Sequence, residues 1–244
     1  MRRAFLLAAA GLVVGGRAMA QAFTDAQRDE IVAILREALR RDPSILRDAF
    51  AAIQEAEERE RGEAQRAGIA AHRAALFDNP GDPVRGNPRG DVTIVEFFDV
   101  RCPYCKRLHE DMEQLIRRDR NLRVVMKDIP ILGPQSVLAA RALLAAQRQG
   151  KYAELHDALM RSRGEPTEAA IRAEAQRAGL EVPRLLREMD DPAIQRRLDA
   201  NLALSRSLRI EGTPALVIGD TLIPGAVPLA QLESLVAQER QRPR

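Results

Sequence analysis

The chain has 244 residues, of which 30% are charged and only 3% aromatic, with no tryptophan. That length supports one sizeable core and a smaller appendage, and the core must be built mainly from Leu, Ile, Val and Ala. The formal charge of +3 does not mark a nucleic-acid binder: Arg2, Arg3 and Arg17 lie in the first 20 residues, and without those residues bases and acids are equal at 35 each.

Residues 1–20 read as a cleaved secretory signal. Arg2 and Arg3 precede an uncharged apolar run from Ala4 to Gly16, and Ala18-Met19-Ala20 fits a small-residue cleavage site. A membrane-spanning helix would need about 20 apolar residues, and Arg17 interrupts this run.

Residues 21–77 read as a polar helical region. Thr24 with Gln27 forms a capping box, and Ile31, Ile34, Leu35, Ala38 and Leu39 recur at helical spacing. Asp42-Pro43 starts a second helix with an apolar stripe of Ile45, Leu46, Ala49, Phe50 and Ile53. Two amphipathic stripes without an evident core partner predict self-association. Residues 78–90, rich in Pro, Gly, Asn and Asp, read as a linker.

The remainder, 91–244, reads as one α/β domain. Val92–Phe98 has the β-branched and aromatic content of a buried strand. A helix follows Cys102 and Cys105, then a strand over Leu122–Met126. Residues 134–207 read as a helical insertion. Ala215–Ile218 and Thr221–Ile223 form a hairpin around Gly219-Asp220, and Pro228 opens a last helix. Strand, Cys-x-x-Cys helix, strand, helical block, hairpin, helix is the order of a thioredoxin fold carrying an insertion.

The two cysteines are three positions apart, so a bridge between them closes almost no loop, and its value is chemical rather than structural. They sit where a strand gives way to a helix. Unpaired N–H groups and about half a positive charge at a helix start favour the thiolate of Cys102, the form that attacks disulfides. Cys105, one turn on, can resolve the mixed disulfide. Pro103 suits the first helical turn. A zinc site would need four ligands, and His72, His109 and His156 show no ligand-pair spacing, so no metal is expected. Gly212-Thr213-Pro214 precedes a strand; Pro214 could be an ordinary trans proline or a cis proline setting an exposed backbone edge beside the cysteines.

Val95-Glu96-Phe97-Phe98-Asp99, Cys102-Pro103-Tyr104-Cys105-Lys106 and Gly212-Thr213-Pro214, running on to Pro224-Gly225-Ala226, together resemble the DsbA-like branch of the thioredoxin superfamily. The front of the chain, Thr24–Phe77 followed by Gly86-Asn87-Pro88, resembles the suppressor-of-copper-sensitivity protein C group, some of whose members oligomerise through this region and act as disulfide isomerases. The resemblance implies that Cys102 is the nucleophile, that Cys105 resolves and that Pro214 is cis. It places Thr213, Pro214, Pro103 and Tyr104 against the substrate. It also implies that Glu96 lies buried near Cys105 and relays its proton. The apolar flanks of Glu96 agree with burial, which would raise its pKa. Thr213 resembles the isomerase type, whereas the Pro-Tyr dipeptide is shared with glutaredoxins and does not fix the branch.

The expectation is therefore a periplasmic thiol–disulfide oxidoreductase and isomerase acting as a homo-oligomer through residues 24–77. It would act on client proteins with cysteines and exchange electrons with a membrane or periplasmic redox partner. It would need no cofactor beyond its own Cys102–Cys105 disulfide, and no nucleic acid. A dithiol oxidase is one alternative, and a copper-binding or copper-tolerance module using the same thiolates is another.

Overall fold

The computed structural model describes residues 23–242; the expected signal segment lies outside them. The chain divides into two compact units, with the boundary after Glu58.

The first unit is helical. α1 (Asp25–Arg41) starts with the expected capping box: the Thr24 side chain accepts from the Gln27 amide and the Gln27 side chain accepts from the Thr24 amide. α2 (Ser44–Ala71) starts one residue after Pro43, with the Asp42 carboxylate accepting from the Ser44 amide at 3.0 Å. α1 buries none of its residues. Ile34, Leu35, Phe50 and Ile53 are each more than half exposed, at 62%, 56%, 63% and 54%.

The second unit holds a five-stranded sheet in the order β1-β3-β2-β4-β5. β2 (Val92–Phe98) runs parallel to β3 (Leu122–Asp128) and antiparallel to β4 (Ala215–Ile218). β4 turns through Gly219, whose φ of +59° suits glycine, into β5 (Thr221–Pro224). α4 (Pro103–Arg118) is the crossover between β2 and β3. Five helices separate β3 from β4: α5 (Pro134–Gln147), α6 (Tyr152–Arg161), α7 (Glu168–Arg177), α8 (Val182–Met189) and α9 (Pro192–Ser207). They are the expected insertion. α10 (Leu229–Gln241) closes the chain.

Two cores flank the sheet because residues alternate faces along a strand. Ile94 and Phe98 of β2 pack into the larger core with Leu108 and Met112 of α4 and Leu143 of α5. Val95 and Phe97 face the smaller core with Ile69, Leu76 and Phe77.

That smaller core corrects two boundaries read from the sequence. The C-terminal part of α2 and α3 (Arg73–Phe77) belong to the second unit, because Ile69, Leu76 and Phe77 cover the sheet face that α4 does not. The segment read as a linker, 78–90, contains β1 (Val84–Gly86), antiparallel to β3. Asp82, just before β1, is buried and ion-paired with Lys127 of β3, whose Nζ also donates to the Ala75 carbonyl at 2.6 Å. A three-residue strand is too short to show a period in sequence.

Candidate active site around Cys102 and Cys105

Cys102 is the N-cap of α4 and Pro103 its first residue, so the amides that open the helix turn toward the sulfur without intrahelical partners. The approach to Cys102 is pinned by Asp99. Its buried carboxylate accepts from the Arg101 amide (2.8 Å), the Ile131 and Leu132 amides (2.9 and 3.0 Å) and the Ser136 hydroxyl (2.8 Å). The Asp99 carbonyl accepts from the Cys102 amide at 3.0 Å. Sequence reasoning gave Asp99 no role; the signal for one was a carboxylate three residues before the first cysteine.

The two thiols, both reduced, are unlike. Cys102 keeps 5% of its surface and Cys105 none. The Cys102 thiolate is pulled from the ordinary 9.0 down to about 5, first by the hydrogen bond from Cys105. Burial opposes this, and hydrogen bonds with the Thr213 side chain and the backbone of Cys105 and Tyr104 add to it. Cys105 is pushed far upward by burial, then by its hydrogen bond to Cys102 and by the charge of Glu96. One sulfur is thus a thiolate at neutral pH while its neighbour holds its proton.

The Thr213–Pro214 bond is cis, and the Thr213 carbonyl oxygen lies 3.1 Å from Cys102 Sγ, where it accepts from the sulfur in its protonated form. The structure therefore brings Thr213 and Pro214, at the entrance to β4, against Cys102. From there a cavity of about 720 Å³ extends along Arg209, Glu211, Gly212 and Gly225 to Arg61 and Gln65 of α2. A second groove of about 450 Å³, lined by Pro103, is edged by Arg101, Lys106, Arg161 and Arg163. Pro103 and Tyr104 are exposed at the helix start, with the Arg107 guanidinium 5.2 Å from the centre of the Tyr104 ring.

Glu96 is 2% exposed, on the larger-core face of β2, and its Oε1 has no hydrogen-bond partner. Burial pushes its carboxyl up to about 7; Arg85 pulls down and Glu113 pushes up. Arg85, Glu113, His109 and His156 also lie in this buried region, unassigned in the sequence reading. The histidines are 47 positions apart in sequence, a separation that hid their contact: their ring centres lie 5.2 Å apart. Among the described residues, no group of three or more His, Cys, Asp or Glu is placed to hold a metal ion.

A family description, DSBA-like thioredoxin domain, matches residues 93–237. The chain belongs to the DSBA-like thioredoxin family. The DSBA-like chain is similar to a thioredoxin-like oxidoreductase from Silicibacter pomeroyi, at 43% identity and a TM-score of 0.68, covering 70% of this chain and 99% of that one. A linker-deletion mutant of ScsC from Proteus mirabilis is similar at 30% identity and a TM-score of 0.69, covering 91% and 98%. Across 169 residues the chain is 30% identical to the Na(+)/H(+) antiporter NhaA 1 of Salinispora arenicola, covering 67% of this chain and 26% of that protein. It spans only about a quarter of the length of such antiporter relatives.

Proposed function

We propose that this DSBA-like protein is an exported thiol–disulfide oxidoreductase that exchanges disulfides in client proteins, chiefly as an isomerase. The observation that carries the reading is the inequality of the two thiols. The Cys102 thiolate attacks a client disulfide, forming a Cys102–client disulfide and releasing one client thiolate. In isomerisation that thiolate attacks another client disulfide, and Cys102 is eventually released with no net change in electrons. In reduction, the Cys105 thiol passes its proton to the Glu96 carboxylate and attacks Cys102 Sγ. The Cys102–Cys105 disulfide forms and the second client thiolate leaves; a redox partner then restores the dithiol. An acidic Cys102 stabilises the reduced pair, and the reduced pair is the form that opens wrong disulfides. Thr213 and Pro214, at the head of the larger groove, would hold the client chain by backbone pairing.

Self-association is the second part of the proposal, confined to the first unit. The exposed stripes of α1 and the start of α2 suit a second copy of the same stripes. An oligomer would surround a misfolded client with several Cys102 sites.

The test is a pair of variants. Cys102→Ala should abolish exchange, whereas Cys105→Ala should accumulate mixed disulfides through Cys102, resolved by non-reducing electrophoresis and peptide mapping. Trapping through Cys105 in the Cys102 variant would overturn the assignment.

A further inference from the structure

The buried charged groups that the cysteines do not absorb gather at one place. Arg85, 8% exposed, stands opposite Val124, and Val124 stands opposite Ile94. Cross-strand partners share a face, as do residues two apart on a strand, so Arg85 and Glu96 lie on the same side of the sheet. Over that side α4 lays Cys105, His109 and Glu113 at four-residue intervals.

Arg85 Nη2 lies 2.5 Å from Glu113 Oε1, and its Nη1 reaches His109 Nδ1 at 3.4 Å. A guanidinium can only donate, so His109 Nδ1 accepts. His109 Nε2–H then donates to Asp157 Oδ1 of α6 at 2.8 Å, and Asp157 also accepts from Arg161. Behind them His156 is held neutral by burial, and the Tyr152 hydroxyl donates to Asp128 of β3 at 3.1 Å. The charges that act on Glu96 are those of Arg85 from β1 and Glu113 from α4, and the charge of Glu96 in turn acts on Cys105 of α4 and Tyr152 of α6. His109, His156, Asp157 and Asp128 stand around them. Among these residues Arg85 is the one fixed cation.

We propose that Arg85 is a positioning residue for the exchange reaction: its charge, balanced against that of Glu113, holds Glu96 ready to take and return the Cys105 proton near neutral pH. This rests on the exchange function proposed above. The directions agree, since Arg85 lowers and Glu113 raises the proton affinity that burial gives Glu96. Without the guanidinium, Glu96 would stay protonated through neutrality and could not accept from Cys105.

Arg85 and Glu113 form one ion pair, and this separates tuning from mere support. A structural role makes loss of either partner act in the same direction. Electrostatic tuning makes them act in opposite directions. The experiment follows the Glu96 carboxyl by isotope-edited NMR against pH in the reduced full chain, with Glu96→Gln to identify the signal. Arg85→Met should raise the Glu96 midpoint by about one pH unit or more. Glu113→Gln should lower it, and Arg85→Lys should stay close to the parent. The pH midpoint for resolving a mixed disulfide should move with the carboxyl. Shifts of the same sign in Arg85→Met and Glu113→Gln, or no shift, would overturn the proposal. Glu113→Gln keeps Arg85 in place, so its sign alone decides if Arg85→Met does not fold. If the parent protein exchanges no disulfides, the functional reading falls, while the carboxyl titration still decides the electrostatic link.

Discussion

The reduced protein should gain stability over its disulfide form as pH rises. Cys102 is an acid whose proton affinity is depressed in the fold, from 9.0 to about 5. For such a group the stabilisation is fully present above the unfolded value and is lost as pH falls through the folded one. Four pH units at about 1.4 kcal/mol each set an upper bound of about 5.5 kcal/mol, and solvent screening at the mouth of the site lowers it. Half of whatever remains should be present at pH 7, midway through the window. Glu96 acts oppositely, because its affinity is raised to about 7, and repeating the comparison in Glu96→Gln removes its share. The assay is denaturant unfolding of the dithiol and disulfide forms at each pH between 5 and 8, with the stability difference plotted against pH. A positive slope of up to about 1.4 kcal/mol per unit is expected. A flat or falling difference would refute the thiolate assignment of Cys102.

Thr213→Val removes the side-chain hydrogen bond that helps hold the Cys102 thiolate; its titration midpoint should rise, and alkylation by iodoacetamide at pH 5 to 6 should slow several-fold, by about a factor of ten for each pH unit that the midpoint moves. Asp99→Ala strips the hydrogen bonds that pin the turn before Cys102 and should cost about 3 kcal/mol or more in thermal or denaturant unfolding; a neutral result would show that solvent replaces the carboxylate. Deleting residues 21–58 should leave a folded, redox-active monomer by analytical ultracentrifugation, whereas deletion to residue 77 also removes Ile69, Leu76 and Phe77 from the smaller core. At about 1.5–3 kcal/mol for each buried side chain, the longer deletion should fail to fold; equal stability of the two truncations would contradict that core.

Where residues signal locally, the sequence is a good guide. The alternating faces of Val92–Phe98, the capping box at Thr24 and the turn at Gly219 all carry their chemistry within a few positions, and the structure places them as expected. The cysteine pair and Thr213-Pro214 meet because β2 and β4 are neighbours, which the family resemblance implied and spacing could not. Periodicity failed at β1, whose order comes from pairing with β3 rather than from its own pattern, and the helical reading that ran to Phe77 did not show that α3 packs on the sheet. The same cause hid Arg85: in a stretch of prolines and glycines an arginine reads as a solvated charge, and only the register with β3 buries it.

β1 spans three residues and pairs with β3 alone. Arg85 therefore occupies a position where replacement disturbs little backbone and no client-facing atom. If its charge governs the proton of Cys105, redox temperament can drift between relatives while the cysteines, the dipeptide between them and the groove at Thr213 stay the same. Relatives compared only by their Cys-x-x-Cys motif would then look identical and behave differently, and an engineer could retune this protein from its margin.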